Sequence, residues 1–457
     1  MMRNLALAVS VATALTVAVP AAAAPSAGAL DGASLTAAAS TGATASGYTG
    51  KGVGVALVDT GVSPQPTLGA QVAARIDVSG IGRNTDGLGH GTFLAGLVVG
   101  QEGPHGLRLG IAPDAHLVSV KVADAEGRTS LDRLLAGFAA IKAAPAELNI
   151  RVIVLAIGGP SDELADPLEE ALEAMWADGY VVVVASGNTG GYLTEPGTSP
   201  YLLTVGGLDD NATAEHGDDT LPAWSGVGVG RDGNAKPDVL AVGRSVVSSR
   251  VPGSIADRLN PESRIDGQWF RGSGTSQAAA VAGGAAAVLL EAQPHLTPDE
   301  VKGRLVDSAR PVAGSHAGAI DLPAAIESTA VANTHLAPLE ASAVPATMDD
   351  WQGKSWAGKS WAADLWVGKS WAGDSWTGTH WVGKSWAQFD WQGGHWVGKS
   401  WADAEWVGKS WANDEWNGKS WAGKSWAGGS WFGKSWAGKS WAGGSWSSAV
   451  WTGRSWT

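Results

Sequence analysis

Twenty-two tryptophans recur at every fifth position from Trp351 to Trp456, without a break in register. The 350 residues before this array contain only three, Trp176, Trp224 and Trp269. The commonest unit reads Trp-x-Gly-Lys-Ser, as in residues 421–425. Because an ordinary globular core cannot be built from such a composition, residues 351–457 are a repeat region, and any chemistry must be sought upstream of them.

A period of five fits neither a helix nor a flat strand. In a helix, successive tryptophans would be rotated by roughly 140°, so no single face forms, and in a flat strand they would alternate between faces. A regular array therefore needs a turn in each unit, and the glycine can supply it by adopting positive φ. Two arrangements stay open, a β-rich solenoid or stack and a poorly ordered chain. The cost of leaving so many indoles in water favours order.

Charge is divided unevenly along the chain. The net charge is −13, of which the repeat region carries +4 and the preceding residues −17. An acidic front part argues against nucleic acid as a partner, because polyanions are repelled at long range. The chain has no cysteine, which excludes disulfides, thiol catalysis and cysteine-ligated metals.

The N-terminus has the pattern of a secretory signal. Arg3 supplies a positive charge, residues 5–19 form an apolar stretch too short for a comfortable membrane span, and residues 21–24 are a run of alanines. We predict a signal peptide over 1–23, an N-terminal arm over 24–47 and a secreted, extracellular protein. No later segment is long and apolar enough to cross a membrane.

Apolar runs alternate with helical patterns between about residues 50 and 330. Nearly continuous apolar runs are typical of parallel strands that are buried on both faces. The predicted strands are 53–58, 116–122, 151–156 and 180–185, and the clearest helices are 131–143 and 164–177. This alternation predicts an α/β fold with a mostly parallel central sheet and helices on both faces.

Four polar residues fall where such a fold places its reactive groups, near the carboxyl ends of strands or at helix starts. They are Asp59, His90, Asn188 and Ser276. A serine hydroxyl needs an imidazole to take its proton, and the imidazole needs a carboxylate to hold its tautomer. The Asn188 amide and the Ser276 N–H are candidate donors to an oxyanion. Together these residue types indicate acyl transfer.

The order Asp, His, Ser and the segments around the three residues resemble the subtilisin-like serine peptidases, or subtilases. The segments are Asp59-Thr-Gly, His90-Gly-Thr, Gly187-Asn188 and Gly274-Thr-Ser276, with further matches at 110–113, 157–159, 203–206 and 236–238. The resemblance covers about residues 48–310. It implies a subtilisin-like fold and a serine-type endopeptidase with catalytic Asp59, His90 and Ser276, an oxyanion hole at Asn188, and protein or peptide substrates.

The same resemblance places the walls of the pocket that receives the substrate side chain before the scissile bond. The predicted substrate-binding residues are Ala156, Ile157, Gly158, Gly159, Ser186 and Gly187. None of them is charged, so we expect an apolar preference. The domain limits that follow are 48–330 for the peptidase domain and 331–350 for a linker.

Many secreted subtilases carry a folding propeptide before the catalytic domain, and residues 24–47 are too few for one. Folding without that segment, or with a short N-terminal arm that wraps the domain, is implied.

No metal site and no required cofactor are predicted. Residues 228–233 match Gly-x-Gly-x-x-Gly but open no helix, which argues against a dinucleotide site. The acidic pairs Asp209-Asp210 and Asp218-Asp219 lack the alternating ligands of a known calcium loop, so a solvated surface is expected there. The family resemblance leaves room for calcium at sites without a portable motif.

Exposed indoles interleaved with lysines suit stacking on sugar rings and pairing with phosphates. The tail could therefore attach the enzyme to cell-wall polysaccharide or an anionic wall polymer, or it could stack on itself as a stalk. The alternative for the whole chain is a binding or structural surface protein, in which the subtilase fold is a scaffold for the repeat array.

Overall fold

The computed structural model describes residues 37–339 except 102–107, 160–164, 214 and 266, and, as backbone alone, residues 9–10 and short strands between 355 and 456. The predicted signal peptide, apart from Val9–Ser10, and residues 340–350 of the predicted linker lie outside this part. The chain divides into two units. The first contains residues 1–161 and 168–346, and the second contains 162–167 and 347–457.

The first unit is an α/β structure. Its described helices are α1 Ala37–Ser40, α2 His90–Val99, α3 Leu131–Lys142, α4 Ala165–Ala177, α5 Ile255–Leu259, α6 Thr275–Ala292, α7 Pro298–Asp307 and α8 Leu322–Glu327. Short 3₁₀ turns lie at Pro66–Leu68, Ala146–Leu148, His216–Asp218 and Pro261–Ser263.

A seven-stranded parallel sheet forms the centre of this unit. Its strands are β1 Gly54–Asp59, β2 Val72–Asp77, β3 His116–Lys121, β4 Ile150–Leu155, β5 Val181–Ala185, β6 Leu203–Leu208 and β7 Val239–Val242. Their order is β7-β6-β5-β4-β1-β3-β2. The antiparallel pairs outside this sheet are β8 Val246–Ser249 with β9 Trp269–Gly272, Val9–Ser10 with Arg128–Thr129, and Gly228–Val229 with Ala235–Lys236.

The four predicted strands and two predicted helices are all present, each boundary within one residue. The remaining strands of the sheet were not predicted. Strand β2 is an edge strand whose residues alternate in burial, so it lacks a continuous apolar run. Strand β6 contains the pair Gly206-Gly207, and β7 has only four residues.

The strand order creates a crevice at the carboxyl end of β1. Strand β1 pairs with β3 on one side and with β4 on the other. The chain runs from β1 to β2 and β3 on one side and then crosses to β4 on the other. Ligands of open α/β sheets bind at such a switch point. Asp59 is the last residue of β1 and therefore lies at this crevice.

Helix α6 packs closely on the sheet because it is built from small residues. Its residues from Thr275 to Leu290 are all buried. A Cβ added at Gly283 would lie 2.3 Å from Val154 Cγ2, so a larger side chain would force the helix away from β4. Close packing at this point fixes the start of α6, and with it Ser276, against the carboxyl ends of the strands.

The described part of the N-terminal arm packs on this unit. Ala38 and Ala43 are fully buried. The Thr41 carbonyl accepts from the Leu322 N–H at 2.9 Å, and Glu291 Oε2 accepts from the N–H groups of residues 49 and 50 at 2.6 and 2.7 Å. The arm is therefore tied to α6 and α8 before β1 begins.

The Lys-Pro-Asp segment at 236–238 forms an ion-pair cluster with the buried Lys302. The Lys302 ammonium donates to the carbonyls of residues 200, 201 and 202 at 2.7, 3.2 and 3.1 Å. It lies 3.3 Å from Asp238 Oδ1, and the Lys236 ammonium lies 2.7 Å from Asp238 Oδ2. Burial lowers the pKa of Lys302 to about 8. The cluster joins α7 to the turn that leads into β6.

The second unit is described as parallel strands whose register repeats. Trp356 pairs with Trp371 and Trp371 with Trp386, and the same fifteen-residue offset recurs in the other strand sets. The pair Ala387 and Ala412 is offset by 25 residues instead. Since fifteen is three units of five, equivalent positions of the repeat align between neighbouring strands.

The strands of the second unit are Ser355–Ala357, Ser360–Trp361, Leu365–Val367, Ser370–Trp376, His380–Gly383, Ser385–Trp391, His395–Gly398, Glu405–Val407, Ser410–Ala412, Glu415–Asn417, Ser420–Ala422, Ser425–Ala427, Ser430–Ala437, Ser440–Ala442, Ser445–Trp451 and Ser455–Trp456.

Candidate active site

Asp59 and His90 form a buried pair. Asp59 ends β1 and is 1% exposed, and His90 begins α2 and is fully buried. His90 Nδ1 lies 2.8 Å from Asp59 Oδ1 and 3.0 Å from Oδ2. Because an ionised carboxylate can only accept, Nδ1 carries the proton and Nε2 is the basic nitrogen. Nε2 has no hydrogen-bond partner among the described residues, so it is available to accept a proton.

The environment of the ring keeps its proton affinity high. Burial alone would lower the pKa of His90, but the Asp59 carboxylate, by charge and by its hydrogen bond, raises it, and the charge of Asp86 adds to the effect. The result is a pKa above the ordinary value for histidine. An imidazole held in this way can accept a proton during catalysis and keep it until a leaving group takes it.

Ser276 is the second residue of α6 and is 3% exposed. Its hydroxyl donates to the carbonyl of Ala156, which directly follows β4, at 3.4 Å. Strand β4 is the neighbour of the strand that ends in Asp59. The structure therefore brings the serine to the same edge of the sheet, at a helix N-terminus whose dipole favours developing negative charge.

The Asn188 side chain is fixed by Thr275, the residue before Ser276. Asn188 Oδ1 accepts from the Thr275 N–H at 2.9 Å, and it lies 3.1 Å from the Thr275 hydroxyl. The Gly187 N–H donates to Thr275 Oγ1 at 3.2 Å. With Oδ1 committed, the Nδ2 group of Asn188 is left as the donor. Thr275 is a residue whose part in the site was missed, although it stands inside the Gly-Thr-Ser motif.

The predicted pocket walls come together around one residue that sequence reasoning did not find. A Cβ added at Gly158 or at Gly187 would lie 2.6 Å from Thr194 Oγ1. Residues 159 and 195 pair through their backbones at 2.9 and 3.1 Å. Of the predicted wall residues, Ala156, Ile157, Ser186 and Gly187 are buried and Gly158 and Gly159 are half-buried. The Thr194 side chain thus lies against both glycines, between the two predicted wall segments.

The prediction of a solvated surface at the acidic pairs was wrong for three of the four residues. Asp209, Asp210 and Asp219 are buried, and Asp218 is exposed. Asp209 lies 2.5 Å from an Arg244 nitrogen, and Asp219 lies 3.3 Å from one of Arg310. Two arginines distant in sequence therefore pair with these carboxylates. Among the described residues, no group of three or more His, Asp or Glu side chains is placed to hold a metal ion.

The Gly228–Gly233 segment lies in a hairpin. Gly228–Val229 pairs antiparallel with Ala235–Lys236, and the N–H of Gly233 donates to the carbonyl of Gly230 at 3.0 Å within the turn. A dinucleotide-binding glycine motif leads from a strand into a helix, which this segment does not.

A sequence profile of the subtilase family matches residues 50–337. The chain belongs to the subtilase family.

Among curated proteins, this subtilase is similar to the serine protease AprX of Bacillus subtilis (strain 168), with 39% identity over 267 residues, covering 55% of this chain and 60% of AprX. It is also similar to subtilisin DY of Bacillus licheniformis, with 32% identity over 265 residues, covering 57% of this chain and 84% of that protein. The match therefore spans less than two thirds of the length of AprX.

Among solved structures, the crystal structure of a cold adapted subtilisin-like serine proteinase has a TM-score of 0.47 and 23% identity to this subtilase, covering 60% of this chain and 89% of that one. None of the helices in the described part of the chain is long and apolar enough to span a membrane.

Proposed function

We propose that this subtilase is a secreted serine endopeptidase that hydrolyses peptide bonds through Asp59, His90 and Ser276. The observation that carries the proposal is the fully buried Asp59–His90 pair, whose outer nitrogen Nε2 is unpartnered among the described residues. Secretion is supported by the charged, apolar and small-residue pattern of residues 1–23.

The geometry supports a two-step acyl transfer. His90 Nε2 takes the proton of the Ser276 hydroxyl while Oγ attacks the scissile carbonyl, and Asp59 stabilises the imidazolium that forms. The oxyanion accepts hydrogen bonds from Asn188 Nδ2 and the N–H of Ser276. His90 then donates its proton to the leaving amine. In the second step a water molecule attacks the acyl group and gives a proton to His90, which passes that proton to Ser276 Oγ as the bond between Oγ and the acyl group breaks and the acid leaves.

Incubation of the purified protein with an unfolded polypeptide tests the proposed endopeptidase activity. We expect internal cleavage, seen by mass spectrometry as overlapping fragments from the middle of the chain. Release of residues from the ends alone, or intact polypeptide after prolonged incubation, would contradict the proposal.

The pocket favours small or short apolar side chains before the scissile bond. Its described walls are uncharged, and Thr194 lies between the two wall glycines, where a longer side chain would have to enter. This observation supports the apolar preference expected from the sequence and restricts it to small or short side chains.

Thr194→Gly should therefore deepen the pocket. We expect kcat/KM for a peptide anilide with phenylalanine before the bond to rise relative to the alanine analogue by about tenfold or more, because differences of this size in an apolar pocket change discrimination by roughly 10- to 200-fold. Thr194→Ser, which removes only the methyl group, is the matched control and should give a smaller change. An unchanged ratio in the glycine variant would remove Thr194 from the pocket.

The tail is proposed to attach the enzyme to cell-wall polysaccharide or an anionic wall polymer. Its support is the opposite charge of the two parts of the chain, +4 against −17, and the regular spacing of tryptophan and lysine. The fifteen-residue backbone register aligns equivalent repeat positions, so a ligand with repeating groups would meet the same residue types along the array.

Deletion of residues 340–457 should leave hydrolysis of small peptides nearly unchanged and release the enzyme from isolated cell walls. Retention of the full chain should weaken with salt, because exposed charges are screened within about 10 Å at 0.1 M. A salt-resistant remainder is expected from stacking of the indoles. If the full and shortened proteins partition identically onto walls at low salt, the tail acts as a stalk instead.

A further inference from the structure

A second carboxylate, Asp86, is buried beside the Asp59–His90 pair. Asp86 is 2% exposed and precedes His90 by four residues. Its Oδ1 accepts from the Thr60 hydroxyl at 2.8 Å and the Gly89 N–H at 2.7 Å. Its Oδ2 accepts from the N–H and the hydroxyl of Thr92, both at 2.8 Å. Both oxygens therefore accept from a backbone N–H in or just before the first turn of α2, the helix that carries His90.

Thr60 connects Asp86 to the triad carboxylate. The Thr60 N–H donates to Asp59 Oδ1 at 2.7 Å, and Thr60 Oγ1 lies 3.1 Å from that oxygen. The Gly91 N–H donates to Thr60 Oγ1 at 3.0 Å. The buried ammonium of Lys121 donates to the Thr60 carbonyl at 2.5 Å. One threonine thus touches Asp59, Asp86 and the start of the His90 helix.

We propose that Asp86 is a positioning residue for the Asp59–His90 pair, and that its buried carboxylate is part of the electrostatic environment of the His90 ring. The inference rests on the proposed peptidase function. Asp86 holds the carboxylate side of the pair through Thr60 and the imidazole side through the first turn of α2. The described hydrogen-bond partners of its carboxylate are Thr60, Gly89 and Thr92, none of which is a reacting group.

The charges around this network come from the strands and from the loops that follow them. They are Asp59, Asp77, Asp86, Lys121 and Asp124. Asp59 and Asp86 raise the pKa of His90 against the effect of burial. Burial also raises the pKa of Asp86, while its hydrogen bonds from Thr92, Gly89 and Thr60 oppose the rise. Loss of the charge at position 86 should make the protonated ring less favourable.

A simpler reading makes Asp86 only an N-terminal cap of α2, which would stabilise the fold. A cap of that kind affects how much protein is folded, but it leaves the proton affinity of His90 unchanged. The pH dependence of catalysis therefore separates the two readings.

Asp86→Asn keeps the size of the side chain and removes its charge. We expect the acidic limb of kcat/KM against pH to move to lower pH, with the proton concentration at its midpoint raised roughly three- to tenfold. Asp77→Asn is the matched control, because Asp77 accepts from the N–H and hydroxyl of Ser79 and faces Lys121 rather than the ring. Its midpoint should stay at the wild-type value. An unmoved midpoint in Asp86→Asn would overturn the proposal.

A titration that does not need activity keeps the two proposals separate. In the Ser276→Ala background, the ¹⁵N resonances of His90 report its protonation directly, and Asp86→Asn should shift this titration in the same direction. If the His90 titration shifts but the wild type hydrolyses no peptide, the peptidase function is wrong and the charge effect of Asp86 remains. If the wild type hydrolyses peptides but the titration does not shift, the role of Asp86 is wrong.

If Asp86→Asn does not fold, the connection through Thr60 provides the test. Thr60→Val removes the hydroxyl between the two carboxylates, and kcat should fall roughly tenfold with little change in KM, because small misplacements of reacting groups are costly. Thr60→Ser keeps the hydroxyl and should restore most of the rate. A wild-type kcat in Thr60→Val would contradict the positioning role.

Discussion

Replacing Ser276 with alanine is expected to lower kcat by roughly 10⁶-fold while leaving KM near the wild-type value. The loss is this large because the variant has no nucleophile for His90 to activate, although it retains Asp59, His90 and the oxyanion donors. Rates are measured on a small peptide anilide at a pH above the midpoint of the acidic limb. The fold should persist, since the serine hydroxyl makes only a 3.4 Å hydrogen bond to the Ala156 carbonyl.

Ser273→Ala is the control for this experiment. Ser273 lies three residues earlier, and its hydroxyl oxygen accepts from the Ser245 N–H, away from the pair of Asp59 and His90. We expect nearly full activity in this variant. Equal activity of Ser276→Ala and the wild type would remove Ser276 from the mechanism.

Asn188→Ala should lower kcat by about 10²- to 10³-fold, with little effect on substrate binding. Asn188 is oriented by two contacts of its Oδ1 to Thr275, so its Nδ2 is positioned before the reaction begins. Preorganised donors act mainly on the charge that develops in the transition state, which is why the effect should appear in kcat and not in KM.

Asn188→Asp separates donation to the oxyanion from simple packing. Aspartate keeps an oxygen for the Thr275 N–H but has no donor for the oxyanion, so we expect a loss at least as large as that of the alanine variant. If Asn188→Asp were fully active, the role of residue 188 would be to hold Thr275, and the oxyanion donor would have to be another group.

The predictable part of the fold is the part with strong local patterns. Strands β1, β3, β4 and β5 are continuous apolar runs, and their positions could be read from the sequence. Strand β2 was missed because, at the sheet edge, its residues are half-buried or exposed and form no continuous apolar run. From the sequence, Ser276 was placed only near a strand end or a helix start, and the close packing of α6 depends on the approach of Gly283 to Val154, two residues that are remote in sequence.

The residues of the candidate site likewise fall into those found from local motifs and those found only from contacts between distant segments. Asp59, His90, Asn188 and Ser276 stand in short motifs; their residue types indicated acyl transfer, and the order Asp, His, Ser resembled that of the subtilases. The parts of Thr194 and Asp86 depend on distances between segments that are remote in sequence, such as Thr194 with Gly158 and Asp86 with Thr60. The buried Asp209 and Asp219 were mistaken for surface residues because their arginine partners lie at distant positions in the sequence.

Reaction with a fluorophosphonate probe tests whether Ser276 is an activated nucleophile. The purified full-length protein is incubated with the probe, digested and mapped by tandem mass spectrometry, with heat-unfolded protein as the control. We expect one phosphonylated residue, Ser276, in the folded protein and none after unfolding. Absence of label on the folded protein, or label at another serine, would show that Ser276 is not an activated nucleophile and would favour a subtilase fold that serves only as a scaffold.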